Sequence, residues 1–390
     1  MSNNNDKYLQ YDDSINMFKT FFDSINKEFK NMGHANLIIA GKSGVGKSTL
    51  INAAFGFNEA TTGIGKPITD ENGVKWYEKE GVPIRIFDTI GFELNEEKRN
   101  QAIKQIRDEY QKAQKLNDPD KYIHAMWYCI SAPSDRFELE EEDYINNIAK
   151  DIPVILVITK SLRKKHAERL IKAIEDSYPN LNVKVKIPVL AQDEDPDDCD
   201  EGEKPKKAFG VDTLVEETAK LLPEAAQKAW CSAQKASIEL KVKRAQALIV
   251  ATAAASFGEG YIPLPFSDAL ALIPTELGML AGITAIFGIN VSENILKTFI
   301  SSIGGVSAAT FAGRAIVSNL LKFIPGVGTV LGGTISGTTA SLLTTALGEA
   351  YVVLMKMILN GEIKEKDLAS EKVKAKFKQI YLDTVKKNKS

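Results

Sequence analysis

The stretch NLIIAGKSGVGKST, residues 36–49, is a short apolar run that ends in a glycine-rich loop. Its residues Leu37 to Ile39 suit a strand buried on both faces, as a parallel sheet requires. The loop satisfies the pattern GxxxxGK[ST], in which glycines let successive backbone N–H groups converge on a phosphate and a lysine adds a point charge. The stretch therefore predicts a strand, a phosphate-binding loop and a helix that together hold a nucleotide.

Each position of the loop has an expected part in binding. We expect Lys47 to reach the β- and γ-phosphates and neutralise charge there, Ser48 to offer its hydroxyl to Mg²⁺, and the helix starting at Thr49 to point its positive end at the anion. The nucleotide contacts predicted in the loop are Gly41, Ser43, Gly44, Val45, Gly46, Lys47, Ser48 and Thr49. A glycine-rich turn before an ordinary helix is the alternative, and the preceding strand and the Lys-Ser ending argue against it.

Composition sets the limits for the rest of the chain. With 390 residues, 44% of them hydrophobic and 26% charged, the chain can bury a sizeable core and is long enough for two domains. The net charge of −2 gives no indication of nucleic acid as a partner. The polar first residues predict no secretion signal. Widely spaced cysteines fit reduced thiols better than a disulfide or zinc framework; they are Cys129, Cys199 and Cys231.

Charge is spread unevenly, and its distribution suggests the domain boundaries. Residues 245–348 contain only seven charged side chains, whereas the residues before them have an ordinary soluble composition and those after them are rich in lysine. The predicted divisions are an N-terminal amphipathic helix at 1–33, a nucleotide-binding domain at 34–228, a hydrophobic helical domain at 229–360 and a lysine-rich tail at 361–390.

The N-terminal arm has apolar residues three or four positions apart, which places them on one face of a helix. They are Ile15, Phe18, Phe22, Ile25, Phe29 and Met32, and Gly33 is expected to end the helix. One interpretation is that this face packs on the chain's own helical domain. The other is that it forms a seam with a second copy or an amphipathic membrane contact.

Two segments after the loop have the residues of nucleotide-sensing switches. Residues 61–69 form a glycine-containing, hydroxyl-rich stretch that we interpret as a loop, from which Thr62 or Thr69 reaches Mg²⁺ only when the γ-phosphate is present. An apolar strand then leads to Asp88, which can hold Mg²⁺ through water. Gly91, three residues on, can present its N–H to the γ-phosphate.

The motifs GKSGVGKST at 41–49, GKPIT at 65–69 and DTIGF at 88–92 resemble those of the translation-factor-related P-loop GTPases. More narrowly, the chain is similar to bacterial GTPases with a hydrophobic helical C-terminal domain of unknown function, and distantly to immunity-related and dynamin-like GTPases. The resemblance implies GTP or GDP with Mg²⁺ and prefers Thr69 over Thr62 as the switch threonine. The metal contacts that it implies are Ser48, Thr69 and Asp88.

The fold expected from the residues agrees with this resemblance. Strands and helices alternate up to about residue 221, which predicts an α/β domain with a doubly wound, mostly parallel sheet. Alanine-rich runs around 245–257, 277–289 and 298–313 predict an all-α second domain, with a turn at Pro263 to Pro265.

One departure from the family pattern concerns hydrolysis. Phe92 stands where Ras-like enzymes have the glutamine that orients the attacking water, and a phenyl ring cannot exchange a proton with water. We therefore expect slow hydrolysis by a single chain, with the missing group supplied by another copy, a partner or another switch residue. Lys42 and Ser43 are close enough in sequence to be considered as helpers. Gly44 replaces the asparagine of potassium-dependent relatives, so no K⁺ is predicted.

A second departure concerns recognition of the base. The tetrapeptide TKSL that begins at Thr159 occupies the place of [NT]KxD, and the stem of Lys160 can lie against a base. Leu162 replaces the aspartate that would pair with guanine, so GTP is favoured by the resemblance alone. Asp193 is a candidate substitute acceptor. Ala191 matches the family's last motif, whose backbone N–H faces the guanine oxygen.

Three further stretches have more than one interpretation. Eight acids at 193–203 favour a solvated insertion over a metal site. The uncharged residues 323–348 fit a buried helical hairpin or a membrane span. The tail is either solvated or bound to anionic lipid through Lys372, Lys374, Lys376, Lys378, Lys386, Lys387 and Lys389.

The sequence thus predicts a GTPase in which water attacks the γ-phosphate in line. The residues assigned to the reaction centre are Lys47, Thr69 and Gly91. The expected partners are GTP, a second copy that binds on GTP loading, and a membrane surface that the C-terminal domain contacts. The expected location is the cytoplasm, with peripheral or integral association at the membrane as a further possibility. The alternatives are a membrane-inserting or scaffolding effector that binds nucleotide without appreciable hydrolysis, and an ATPase.

Overall fold

A computed structural model describes residues 23–57, 66–69, 75–79, 81–88, 96–199, 204–259, 264–265, 272–289, 334–335, 337–368 and 370–389. Within these ranges the chain forms two compact units, Met32–Leu240 and Lys241–Ser390, and the latter unit also includes the N-terminal residues up to Asn31. Residues 23–30 are helical (α1), and the division assigns them to the second unit. The packing of their apolar face on the helical domain stays a prediction.

A seven-stranded sheet is the centre of the first unit, in the order β2-β3-β4-β1-β5-β6-β7. The strands are β1 (Ala35–Ala40), β2 (Lys66–Thr69), β3 (Lys75–Lys79), β4 (Val82–Asp88), β5 (Ala125–Ser131), β6 (Val154–Thr159) and β7 (Val185–Pro188). Strands β4, β1, β5, β6 and β7 are mutually parallel, and β2 and β3 are antiparallel. This mostly parallel sheet with flanking helices confirms the predicted fold class.

The helices of the first unit surround the sheet and join its parallel strands. They are α2 (Lys47–Phe55), α3 (Glu96–Leu116), α4 (Leu139–Ile148), α5 (Lys164–Ser177), α6 (Val211–Leu221) and α7 (Glu224–Ala233). The prediction of a loop over residues 61–69 is wrong for its last four residues. Lys66 to Thr69 form an edge strand because they pair with β3, from Lys66 opposite Glu78 to Thr69 opposite Lys75.

Apolar packing on both faces of the sheet explains why its central strands are uniformly hydrophobic. Every residue of β1 and β6 is buried. One face packs against α3, α4 and α5 through a cluster that includes Tyr144, Ile145 and Leu170. On the other face, Trp127 of β5 lies 5.9 Å from the Phe55 ring and 5.7 Å from the Trp230 ring. The prediction of continuous apolar runs for buried parallel strands is therefore confirmed.

A charged cluster fixes the amino end of β1, at the edge of the sheet opposite the glycine-rich loop. The Asp120 carboxylate accepts hydrogen bonds from the His34 backbone N–H at 2.5 Å and from Arg85 Nη1 at 3.1 Å. Hydrogen bonding to His34 and the charge of Arg85 hold the pKa of Asp120 well below its usual range. This cluster positions β1, and therefore the loop that follows its other end.

The second unit is mainly helical. Its helices are α8 (Ile238–Glu259), which starts in the first unit, α9 (Leu272–Phe287), α10 (Gly337–Leu359) and α11 (Glu371–Lys389). Leu264 and Pro265, predicted as part of a turn, instead pair as a short strand with Ile335 and Thr334. Residues 298–313, predicted to be helical, lie outside the described residues.

The described helices include one, α10, that is long and apolar enough to cross a bilayer. Its apolar window runs from Ala340 to Leu359 with a mean hydropathy of 1.6, and 56% of that window is buried in the protein. Only the end of the uncharged stretch 323–348 lies in α10, and residues 323–333 lie outside the described part of the chain. The lysine-rich tail contains helix α11, whose residues Val373, Phe377 and Tyr381 are buried.

Candidate nucleotide site

The glycine-rich loop leaves β1 in a conformation that glycine makes accessible. Gly41, Gly44 and Gly46 have φ angles of +135°, +73° and +101°. At Gly41 a Cβ atom would lie 2.2 Å from the backbone oxygen of Cys129, so only glycine lets the loop pass β5. At Gly44 a Cβ would meet nothing within 4 Å, which leaves the centre of the loop open to a ligand.

The end of helix α2 that faces the loop is suited to an anion. Its N-cap residue, Gly46, has no side chain to cap the helix, and its first turn contains no acid. The free backbone N–H groups and the positive end of the helix dipole favour a phosphate there. Ser48 is exposed in this first turn, so its hydroxyl is accessible to a metal ion. The residues present therefore fit a nucleotide phosphate with its cation.

Lys47 lies over the loop that it is predicted to serve. Its Nζ donates hydrogen bonds to the backbone oxygens of Gly41 at 2.9 Å and Lys42 at 3.1 Å. These acceptors keep the ammonium group beside the open centre of the loop, where a phosphate could take their place.

Thr159, predicted as a nucleotide contact at the start of the TKSL segment, ties the loop to the sheet through its side chain. Its hydroxyl is buried within hydrogen-bonding distance of the backbone oxygens of Val45 and Ile130. A side chain at Gly46 would meet Thr159 Cβ and Lys160 Cε, each at 3.8 Å. The structure therefore brings the TKSL segment directly against the glycine-rich loop.

Lys160 and Leu162 lie at the carboxyl end of β6. Lys160 is exposed and has a left-handed backbone with φ of +53°, which turns the chain sharply after the strand. The Ser161 N–H donates to Val189 O at 3.1 Å, and this bond links the TKSL segment to the residues just before Ala191. Leu162, in the place of the base-pairing aspartate, is 38% exposed and presents an apolar side chain.

Asp193 does not offer a free carboxylate to a base in this structure. Its Oδ2 accepts a hydrogen bond from Lys207 Nζ at 2.6 Å, and its Oδ1 accepts one from the Ala208 N–H at 2.8 Å. The hydrogen bond from Lys207 is the largest of the effects that lower the pKa of this carboxyl. The Asp193 carboxylate therefore links its own segment to residues 207 and 208. The hypothesis that it replaces the missing aspartate loses its support.

Lys42, considered as a catalytic helper, is held by an acidic pair that the sequence analysis missed. Its Nζ lies 2.9 Å from Glu138 Oε2 and 4.0 Å from Glu141 Oε2. Glu141 also accepts hydrogen bonds from the Tyr128 hydroxyl and from the Glu138 N–H at the start of α4. Burial raises the pKa of Glu141. The run ELEEED contained the signal, because acids in the first turn of a helix are typical of capping.

The switch residues are placed by their backbone alone. Asp88 ends β4 beside Ile39 of β1, and Thr69 ends β2 beside Lys75, so both strands end at the edge of the sheet that holds the loop. The side chains of Thr69 and Asp88 lie outside the described part of the structure, as do Thr62, Gly91 and Phe92. Their predicted contacts with metal and γ-phosphate remain predictions.

A groove with a volume of about 780 Å³ runs along the open edge of β7. Ala191, Lys164 and Phe209 are among its lining residues, and no residue of the glycine-rich loop is. The groove therefore adjoins the base end of the candidate site and is separate from its phosphate end.

Comparisons with known proteins agree with this geometry. Residues 36–160 match the family model described as 50S ribosome-binding GTPase. The chain is 30% identical over 133 residues to magnetosome membrane protein 22 of Magnetospirillum gryphiswaldense, a match that covers 34% of this chain and 64% of that protein. It is 29% identical over 157 residues to septin-9 of Rattus norvegicus, covering 35% and 28% respectively. Each match spans less than two thirds of the relative.

A solved structure is also similar to the chain. The match to the septin GTPase domain of Chlamydomonas reinhardtii covers 54% of this chain and 93% of the septin chain, with 16% identity and a TM-score of 0.32. The family match begins in β1 and ends at Lys160, so it contains both the glycine-rich loop and the threonine that ties it to β6. Residues 36–160 are thus similar to a P-loop GTPase domain, and the mostly parallel sheet agrees with that fold.

Proposed function

We propose that the protein binds GTP and hydrolyses it to GDP and phosphate, and that the bound nucleotide controls the state of the helical unit. The observation that carries the proposal is the loop itself, in which Lys47 lies beside an open glycine turn at an uncapped helix end. This arrangement can bind the charge of a triphosphate with backbone N–H groups and one ammonium group.

The residues of the chain have separate tasks in this mechanism. Lys47 exchanges its loop carbonyl partners for phosphate oxygens and stabilises the charge that develops during attack by water. Ser48, Thr69 and Asp88 would hold Mg²⁺, which supplies further charge neutralisation on the phosphates. The N–H of Gly91 detects the γ-phosphate. Thr159 keeps the loop at a fixed distance from the base-binding segment.

We also propose that self-association raises the rate of GTP hydrolysis. Phe92 cannot orient water as a glutamine does, and the Lys42 ammonium is paired with Glu138 rather than directed at the loop centre. A group from a second copy would complete the site. Membrane association is supported by the apolar helix α10 and by the relative named as a magnetosome membrane protein.

Coupling to the helical unit is supported by the segment that leads into α8. The Lys235 N–H donates to Ala54 O at 2.8 Å, at the end of the helix that starts in the phosphate loop. The ring of Trp230, on the preceding helix, lies 5.4 Å from Phe55. Ser237 then caps α8, because its Oγ accepts the Leu240 N–H at 3.0 Å. A shift of α2 on nucleotide binding would therefore reach the first turn of α8.

The decisive experiment is phosphate release from GTP and from ATP over a range of protein concentrations. Lys47→Ala removes the ammonium group, and its expected effect is a loss of about 10- to 100-fold in GTP affinity, with hydrolysis reduced to background. The matched control is Lys220→Ala, an exposed lysine of α6 that pairs with Glu217, and it should behave as the unaltered protein.

The outcomes separate the alternatives. Specific activity with GTP that rises with protein concentration supports a self-activating GTPase. A rate at background for every concentration, with GTP still bound, favours the binding-only effector. Turnover of ATP at the same rate as GTP contradicts the proposed preference for guanine. The exposed Leu162 would then explain the lack of discrimination, because its side chain cannot hydrogen-bond to a base.

A further inference from the structure

Four buried polar side chains meet inside the helical unit, and each comes from a different helix. They are Ser256 on α8, Glu276 on α9, Thr344 on α10 and Tyr381 on α11. Glu276 is the most exposed of the four, at 6%. Glu276 is also one of the seven charged residues in the charge-poor stretch 245–348. The nucleotide site makes no use of this cluster.

The contacts inside the cluster are few. The Thr344 hydroxyl lies 3.2 Å from Ser256 Oγ and 3.4 Å from Glu276 Oε1. The Tyr381 hydroxyl is buried and makes no hydrogen bond with any described residue, although Glu276 is close enough to contribute to the raised pKa of its phenol, which burial chiefly causes. The cluster therefore contains a buried hydroxyl that lacks a hydrogen-bond partner among the described residues and a buried carboxyl with one long hydrogen bond.

The surroundings disfavour a charged Glu276. Burial raises the pKa of its carboxyl from 4.5 to about 7, and the hydrogen bond from Thr344 acts weakly in the opposite direction. From α8 the facing group is Ser256, from α10 it is Thr344, and from α11 it is the Tyr381 phenol. Within the described residues no lysine, arginine or histidine acts on this carboxyl. The closed bundle therefore accommodates the neutral acid better than the anion.

Helices α9 and α10 each pack closely against α8 at a glycine near the cluster. A Cβ atom at Gly348 of α10 would lie 2.5 Å from Ile249 Cγ1 of α8. A Cβ at Gly282 of α9 would lie 2.6 Å from Leu248 Cδ2, also of α8. Since interiors packed at this density resist small adjustments, the bundle has two ways to respond to a higher pH. It keeps the proton on Glu276, or it opens.

We propose that Glu276 is a proton-binding site that controls the closure of the helical unit. The bound proton keeps the four helices together, and its loss loosens α9 and α10, the second of which is the apolar helix long enough to cross a bilayer. The ligand of the site is the proton itself, and the device works without nucleotide.

The direction of the effect follows from the two states of the carboxyl. Its pKa is higher in the closed unit than in the open one, so the closed state binds more protons. The stability due to this site is fully present below about pH 4.5 and is lost as the pH rises through about 7. Between pH 5.5 and 8 the opening equilibrium should increase by about 30-fold.

Hydrogen–deuterium exchange of the full chain without nucleotide tests this inference. Protection of α9 and α10 is measured between pH 5.5 and 8, with each rate divided by the intrinsic rate at that pH. The expected result is a loss of protection of about 30-fold in the unaltered protein. Glu276→Gln mimics the protonated acid and should abolish this dependence. Glu371→Gln, at an exposed glutamate of α11, is the matched control and should retain it.

Two results would overturn the proposal. One is a pH-independent protection of α9 and α10 in the unaltered protein, and the other is an unchanged pH dependence in Glu276→Gln. If Glu276→Gln does not fold, Thr344→Val decides. This near-isosteric change removes the hydrogen bond that lowers the pKa of Glu276, so the midpoint of the transition should move to higher pH. A midpoint that stays in place or moves lower contradicts the proposal.

Discussion

At the scale of single residues, two glycines of the phosphate loop have different physical roles. Gly41 is required because a side chain would overlap the backbone of Cys129, whereas Gly44 faces open space and needs glycine only for its positive φ. The motif GxxxxGK[ST] requires glycine at position 41 and leaves position 44 open. It could not predict the overlap, because Cys129 belongs to a strand that is distant in sequence and becomes a neighbour only in the folded sheet.

This difference predicts different costs for the same substitution. Gly44→Ala should destabilise the first unit by about 1 kcal/mol, the cost of a left-handed alanine. Gly41→Ala should cost clearly more, because its Cβ would also lie 2.2 Å from a backbone oxygen that cannot move freely. Denaturant unfolding followed by the fluorescence of Trp127 and Trp230 measures both variants. Equal losses of stability would show that the contact with Cys129 relaxes.

Leu162 occupies the position on which base selection is predicted to depend. An aspartate at this position would offer a carboxylate to the guanine edge, and hydrogen bonds to charged groups contribute about 1.5–3 kcal/mol each. Leu162→Asp should therefore raise the preference for GTP over ATP by about 10- to 100-fold in competition binding.

The control for this change is another exposed leucine. Leu139, at the start of α4, is 61% exposed, and Leu139→Asp adds the same charge away from the TKSL segment. It should leave the preference unchanged. If Leu162→Asp strengthens or weakens GTP and ATP equally, the side chain at position 162 does not reach the base.

At the scale of elements, the sequence predicted the strands and helices of the first unit better than their connections. Runs such as residues 154–159 are apolar and short enough to be recognised as buried strands. The hydrogen bond from Thr159 to the phosphate loop joins residues that are far apart in sequence, as does the pairing of Lys42 with α4. Local patterns do not contain such pairings, and they appear only once the sheet order is known.

The junction before α8 gives the prediction at this scale. Ser237→Ala removes the N-cap of α8 and the hydrogen bond from Ser237 Oγ to Glu216 Oε1 at 2.6 Å. The expected loss is about 1 kcal/mol in the stability of the first turn. The difference in hydrogen exchange of α8 between GTP- and GDP-loaded protein should shrink, while GTP affinity stays the same.

A second helix cap provides the control for the junction. Ser370 precedes α11, and its Oγ accepts the Val373 N–H at 3.4 Å. Ser370→Ala removes a similar cap from a helix that the junction does not include. It should leave the nucleotide-dependent exchange of α8 intact. An equal loss of that difference in both variants would contradict coupling through the junction.

At the scale of the whole molecule, the change in charge density along the sequence predicted two units. The contacts within each unit place the division between Leu240 and Lys241. The lysine-rich tail was expected to be solvated or lipid-bound, and the structure adds that it contains α11 with one face buried against α10. Convergence on Glu276 was beyond the reach of the sequence. Its four side chains are spread from residue 256 to residue 381, and no periodic pattern relates them.

Helix α8 has a geometric consequence for any signal that starts at the phosphate loop. Its 22 residues give it a length of about 33 Å at a rise of about 1.5 Å per residue. A rigid rod of that length is a lever arm. Turning it by about 10° about its first turn, where Ser237 caps it, carries its far end through about 6 Å, roughly one helical pitch. Under the proposed coupling, a sub-ångström adjustment beside Ala54 would become a displacement of about one helical turn at the far end of α8.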